Sequence, residues 1–137
     1  MTMMLDRMEP MVTDYSYLMD WSYVAGFFDG EGSVIIYKDK RRVGKADTYI
    51  RLQIGQTDLP THEAICSFLE SQGILYTTFV DKSRNRLGYK TCYFIKVGRR
   101  TEIAKFCSAI LPYSITKRSK LEEALNGSTG CFRALTN

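Results

Sequence analysis

The first clear hydrophobic pattern of the chain has the spacing of a helix. Apolar residues recur every three to four positions from Trp21 to Phe28, which predicts a helix over residues 20–29. Asp20 is its expected N-cap, because a side-chain oxygen there can accept from the first free backbone N–H groups. The glycines at 30 and 32 are expected to end it.

Two β-rich runs follow, over residues 33–42 and 46–57, and a turn at 43–45 makes them a plausible hairpin. The second run alternates strictly between apolar and polar positions, so one face of the predicted sheet joins the core and the other is polar. The two alternating sets are Ile50, Leu52 and Ile54, and Tyr49, Arg51 and Gln53.

The rest of the chain repeats this organisation. We predict helices over 59–73, 99–111 and 117–125, and a second hairpin from 74–83 and 87–97. The facing of that hairpin stays open, because both of its parities carry apolar groups. Asn126 and Gly127 are expected to close the last helix. The order α-ββ-α-ββ-α-α predicts an α+β fold whose helices cover one face of a four-stranded antiparallel sheet.

Composition narrows the class of protein. With 137 residues, 45% of them hydrophobic, we expect one domain over 20–137 after an extension over 1–19. A net charge of +4 permits a polyanionic partner without requiring one.

The four cysteines lie far apart, which indicates free thiols rather than a zinc site. The single histidine, His62, is expected at the surface. No apolar run is long enough for a membrane span, so we expect an intracellular protein without a membrane partner.

The segment VAGFFDGEG, residues 24–32, places two acids at the end of the first helix, where the helix dipole disfavours negative charge. Gly26 and Gly30 give this helix a small-residue face that suits either packing in its own core or close pairing with a second copy. A two-fold pairing would bring Asp29, Glu31 and their symmetry mates together. A divalent cation in an oxygen-only site, such as Mg²⁺, would neutralise them and could support phosphodiester hydrolysis.

VAGFFDGEG resembles the LAGLIDADG motif of homing endonucleases, with Glu31 where the most frequent form of the motif has Asp. The predicted order of elements is also that family's αββαββα order, and the resemblance covers residues from about 20 to 126. It implies that Glu31 binds the catalytic metal together with the backbone carbonyl of Gly30. Asp29 would serve the local structure of the motif. No organic cofactor is implied.

Two further positions resemble the family's active-site groups. Gln56, at the end of the second strand, resembles the polar residue that holds water near the metals, and Lys117, after a Pro-aromatic pair, resembles the active-site lysine. A single motif supplies one helix and one metal-binding acid, so the resemblance implies a homodimer. The motif residues expected in its interface are Ala25, Gly26, Phe27, Asp29 and Gly30.

A two-fold protein implies an approximately palindromic double-stranded DNA site. The polar sheet face would read it, and the resemblance implies a staggered double-strand break that promotes intron or intein mobility. The candidate DNA contacts are Ser33, Ile35, Tyr37, Asp39, Arg41, Asp47, Tyr49, Arg51, Gln53, Lys90 and Lys96.

Three other interpretations remain open. A maturase-like RNA-binding protein could keep this fold and assist splicing. A DNA-binding regulator could share the dimer and the sheet without needing an acid at position 31. A purely structural α+β domain would need neither the acid nor the polar face.

Overall fold

The sheet and helices of the chain are defined by a computed structural model that describes residues 15–39 and 47–136, without the side chains of 16, 38, 39, 47 and 129–136. The predicted turn at 43–45 and most of the predicted extension lie outside these residues. The elements are α1 (Trp21–Glu31), β1 (Gly32–Asp39), β2 (Asp47–Gln56), α2 (Leu59–Ser71), β3 (Thr77–Asp81), β4 (Cys92–Val97), α3 (Arg100–Ile110) and α4 (Arg118–Thr136).

The four strands form one antiparallel sheet in the order β1-β2-β4-β3. Gly32 pairs with Ile54, so β1 begins next to the carboxyl end of β2. The first hairpin therefore extends away from the end of α1. This confirms the predicted α+β fold and its order of elements.

One face of the sheet is covered by the helices. The alternating residues Leu52 and Ile54 of β2 and Ile95 of β4 are at most 3% exposed and pack into one hydrophobic core with residues of all the helices. The side chains of Phe28 in α1 and Phe106 in α3 meet edge to face, with ring centroids 5.6 Å apart. The opposite face of the sheet carries exposed side chains, as the alternation of β2 predicted.

The capping prediction for α1 is confirmed, since the Asp20 carboxylate accepts the backbone N–H of Tyr23 at 2.8 Å. The predicted end at residue 29 is wrong, because the helix continues to Glu31. A donor from a distant part of the chain stabilises its last turn, as described below.

The predicted end of the last helix is also wrong. Helix α4 continues through Gly127 to Thr136. A Cβ atom on Gly127 would lie 2.8 Å from Cδ1 of Ile50, so the glycine allows the helix to approach the sheet closely rather than ending the helix. Sequence alone could not distinguish these two uses of a glycine.

The surface prediction for His62 is wrong. Its side chain is 8% exposed and lies against the ring of Tyr93, with Nε2 3.7 Å from Sγ of Cys66. Burial lowers the pKa of His62, with the carboxylate of Glu63 acting in the opposite direction. The imidazole is thus a largely buried group beneath the sheet.

Candidate active site and nucleic-acid interface

The end of α1 is bound to the turn that leads into α4. The carboxylate of Asp29 accepts hydrogen bonds from the hydroxyl of Ser114 at 2.5 Å and from three successive backbone N–H groups. Those groups belong to Ile115 at 2.7 Å, Thr116 at 3.2 Å and Lys117 at 3.2 Å. Successive N–H groups that converge in this way form a good binding site for an anion.

The hydrogen bonds control the charge of Asp29. Burial on its own raises the pKa of this carboxyl, but the bonds from the Ser114 hydroxyl and the backbone N–H groups outweigh it and hold the pKa below its ordinary value. The negative charge of Asp29 is therefore stabilised by hydrogen-bond donors of the same chain. The expectation that a divalent cation would neutralise both acids of the segment is thus corrected for Asp29.

The side chain of Lys117 also binds the end of α1, and these contacts of Asp29 with residues 114–117 are called the Asp29 junction below. Its ammonium Nζ donates to the backbone carbonyl oxygen of Asp29 at 2.6 Å. The last carbonyls of a helix lack intrahelical donors and carry partial negative charge, so a cation is favourable at this position. The contact fixes the lysine two residues from Glu31 and stabilises the last turn of α1.

Glu31 is exposed at the end of α1, at the same end of the sheet as Gln56. The pKa of the Cys92 thiol is influenced by several groups at this end of the sheet. Burial raises the pKa of Cys92, the backbone N–H of Gln56 lowers it, and the carboxylates of Asp81 and Glu31 raise it further. The side-chain oxygen of Gln56 accepts the backbone N–H of Asp58 at 2.9 Å, which orients the amide toward the start of α2.

The donor atoms at the end of α1 fit a hard divalent cation. The carboxylate of Glu31 and the carbonyl of Gly30 supply only oxygen, which is what Mg²⁺ and Ca²⁺ prefer. Within the described ranges, no group of three or more His, Cys, Asp or Glu side chains is placed to hold a metal.

The exposed face of α1 is formed by glycines and aromatic residues. Tyr23, Gly26, Phe27 and Gly30 follow helical spacing, and the rings of Tyr23 and Phe27 stack with centroids 6.2 Å apart. A Cβ atom on either glycine would meet nothing within 4 Å. These four residues are called the α1 face below.

Two predicted interface residues lie elsewhere. Ala25 is 0% exposed in the core of the chain, and the carboxylate of Asp29 is bound to groups of the same chain. Their side chains are thus used within the chain, and the prediction for them is corrected. Gly26, Phe27 and Gly30 remain at the surface or partly exposed.

The outward face of the sheet brings most of the predicted DNA-contacting side chains together. Cross-strand pairing aligns Ser33 with Gln53, and Gln53 with Lys96, in one row across three strands. The next rows outward join Ile35 with Arg51 and Tyr37 with Tyr49, and the two tyrosine rings stack at 5.2 Å.

The remaining predicted contacts do not lie in these rows. Lys90 is exposed in the connection before β4, not within the strand. The side chains of Asp39, Arg41 and Asp47 lie outside the described residues.

The outward face of the sheet carries a cationic cavity. A cavity of about 470 Å³ there is lined by three cationic residues, Arg51, Lys96 and Arg99, with Tyr49 and Thr77 beside them. Within the part of the chain that the structure describes, the buried Nε of Arg51 has no hydrogen-bond partner. An anionic ligand would satisfy this donor.

Comparison with known proteins agrees with this arrangement. Residues 24–122 match the LAGLIDADG endonuclease family. The chain belongs to that family. It is also 38% identical over 69 residues to an uncharacterized protein, MJ0314, of Methanocaldococcus jannaschii. That match covers 50% of this chain and 24% of the relative, so the chain spans about a quarter of that protein's length.

Solved structures of LAGLIDADG proteins share the fold. The archaeal intron-encoded homing endonuclease I-Vdi141I, complexed with DNA, superposes with a TM-score of 0.63 at 19% identity, covering 82% of this chain and 69% of that one. The homing endonuclease I-CvuI, in complex with its target in the presence of calcium, gives 0.59 at 18% identity, covering 77% and 63%. Both likenesses confirm the predicted LAGLIDADG fold.

The structure also brings to the candidate site and to the outward sheet face residues that the sequence did not indicate. Ser114 contributes a hydroxyl to the Asp29 junction, and no local pattern pointed to it. Phe79 and Phe94 stack on the outward face of the sheet, where the sequence had left the facing of the second hairpin open.

Among the described helices, none combines the length and apolar character needed to cross a membrane.

Proposed function

We propose that this LAGLIDADG protein is a homodimeric, site-specific endonuclease that cleaves double-stranded DNA. The observation that carries the proposal is the position of Glu31. This acid is exposed at the end of the motif helix, two residues after the Asp29 carbonyl that accepts from the ammonium of Lys117. Arg51 and Lys96 lie farther along the outward face of the adjoining sheet. An exposed acid at the end of a sheet whose outward face is cationic suits phosphodiester cleavage.

The α1 face supports a homodimer. Its two glycines leave room for the backbone of a second helix, and the flanking rings of Tyr23 and Phe27 would be buried by it. A two-fold axis through this face would place the two copies of Glu31 near one another. The complete site would then contain one acid from each protomer.

The groups that would hold a divalent metal are the carboxylate of Glu31 and the carbonyl of Gly30, with DNA phosphate and water completing the ligands. Bound there, Mg²⁺ would supply Lewis-acid stabilisation of the phosphate oxygens during hydrolysis. Gln56, whose amide oxygen accepts the backbone N–H of Asp58, would orient a water molecule through its amide NH₂ group. Lys117, oriented by the Asp29 carbonyl, would stabilise negative charge on the phosphate or transfer a proton.

Strand lengths suit one DNA half-site per protomer. The 10 residues of β2 span roughly 33 Å, close to one turn of the duplex, and a two-stranded ribbon fits the major groove. Arg51 would read guanine and Gln53 would read adenine, with the remaining outward residues contacting bases or phosphates. Two half-sites give a target of about 20 base pairs.

The biological role we propose is mobility of an intron or intein. A staggered break in an allele that lacks the mobile element would initiate its copying, and this action takes place inside the cell. I-Vdi141I, which shares the fold, is described as intron-encoded.

Selection of cleaved molecules from a randomised duplex library in Mg²⁺ tests the proposal. We expect enrichment of an approximately palindromic site with staggered ends at its centre. Recovery of bound but uncut duplexes would contradict the endonuclease and favour a DNA-binding regulator. Specific retention of structured RNA without DNA cleavage would favour the maturase-like alternative.

A further inference from the structure

An aromatic platform lies on the outward face of the sheet near Glu31. The rings of Phe79 in β3 and Phe94 in β4 are nearly parallel, at 6°, with centroids 4.5 Å apart. The ammonium of Lys96 lies 4.7 Å from the centroid of the Phe79 ring. Phe79 nevertheless remains 38% exposed, on the face that the helices leave uncovered.

The backbone beneath the platform is adapted to it. Gly55 of β2 pairs with Phe94, and a Cβ atom at position 55 would lie 2.7 Å from Cε1 of that ring. A glycine within a strand commonly marks such a close approach. The Phe94 ring therefore lies across β2, and Gly55, Phe94 and Phe79 form one continuous row.

Phenylalanine cannot hydrogen-bond to base edges or phosphates, so the platform needs a different ligand from that of Arg51 or Gln53. On the major-groove edges of a duplex, the apolar group is the C5-methyl of thymine. We infer that the Phe79–Phe94 platform recognises a thymine methyl group in each half-site. This inference rests on the proposed DNA-binding function and assigns part of its sequence specificity.

The position of that thymine follows from the strand geometry. Outward rows are two residues apart, or about 6.6 Å, which is close to two base-pair steps along a duplex. The platform row lies one row nearer Glu31 than Gln53 does, and two rows nearer than Arg51. We therefore expect the thymine about two base pairs nearer the centre than the Gln53 contact and about four nearer than the Arg51 contact.

Replacement of single thymines by uracil tests this inference, because it removes only the methyl group. Affinity is measured in Ca²⁺ on the site obtained by selection. At one thymine near the centre of each half-site, we expect the affinity to fall by about fourfold, which corresponds to the burial of one CH₂ or CH₃ group. Replacement of thymines that the platform does not reach should leave the affinity unchanged. Phe79→Ala should abolish that loss, whereas Tyr37→Ala, which alters the distal tyrosine pair, should preserve it.

Several outcomes would overturn the inference. They are the absence of a selected thymine near the centre, an unchanged affinity for every uracil-substituted site, and an undiminished uracil effect in folded Phe79→Ala protein. In each of these the unmodified protein still binds its site, so the proposed function stands. Failure to bind any duplex would instead overturn both.

Discussion

Lys117 and Asp29 are joined by two hydrogen bonds, each between the side chain of one residue and the main chain of the other. Lys117 Nζ donates to the Asp29 carbonyl oxygen at 2.6 Å, while the Asp29 carboxylate accepts the backbone N–H of Lys117 at 3.2 Å. These two hydrogen bonds join residues 88 positions apart in the chain. They hold the Lys117 ammonium at the last turn of α1, two residues before the exposed acid Glu31, so Lys117 is a positioned group.

Replacement of this ammonium should separate cleavage from binding. We expect Lys117→Met to slow single-turnover cleavage by about 100-fold or more, as for loss of a positioned proton-transfer or charge-stabilising group, with little change in DNA affinity in Ca²⁺. The control is Lys120→Met in the first turn of α4, since Lys120 is exposed and pairs only weakly with Glu123. A loss of affinity as large as the loss of rate would make Lys117 a phosphate-binding residue instead.

The Asp29 carboxylate should contribute to stability through its charge. Asp29→Asn leaves fewer acceptors for the Ser114 hydroxyl and the three N–H groups, and we expect it to lower the free energy of unfolding by about 1.5–3 kcal/mol at neutral pH. Urea unfolding measures this effect, with Glu122→Gln on exposed α4 surface as the control.

The same variant should show a defined pH dependence. The folded pKa of Asp29 lies below its ordinary value of 3.8, so its ionisation stabilises the fold above about pH 3.8 and ceases to do so as the pH falls through the folded value. The difference in unfolding free energy between the unmodified chain and Asp29→Asn should therefore shrink in acid. A constant difference down to pH 2 would contradict a charge-based role.

The α1 face should decide the oligomeric state. A Cβ atom on Gly26 meets nothing in the protomer, so Gly26→Leu should leave the protomer folded and raise the helix propensity of α1. It should nevertheless weaken the dimer, because the side chain would fill the space of the second helix. Sedimentation velocity measures the shift, with Ser108→Leu on exposed α3 as the matched control. A Gly26→Leu dimer of unchanged affinity would exclude this face as the interface.

Local pattern was sufficient for much of this fold. The strict alternation in β2 predicted which of Leu52 and Arg51 faces the core, and the polar start of α1 predicted its cap. The ends of α1 and α4 were not predictable in this way. The last turn of α1 accepts a hydrogen bond from Lys117, and α4 passes close to Ile50 at Gly127. Both contacts join distant parts of the chain, which a local pattern does not show.

The candidate site was partly accessible from sequence for the same reason. Resemblance to the LAGLIDADG family selected Glu31, Gln56 and Lys117, whereas the contribution of Ser114 depends on how the turn before α4 folds onto α1. The platform of Phe79 and Phe94 was hidden because both parities of the second hairpin are apolar. Only cross-strand pairing shows which parity faces outward.

The most direct test of the account is a comparison of Glu31→Gln with the unmodified protein on the selected duplex. Cleavage is measured in Mg²⁺, and binding is measured separately in Ca²⁺. Because the substitution keeps the size of the side chain and removes its charge, we expect specific binding to persist while cleavage is lost. Unchanged cleavage by Glu31→Gln would contradict the assignment of Glu31 as the metal-binding acid.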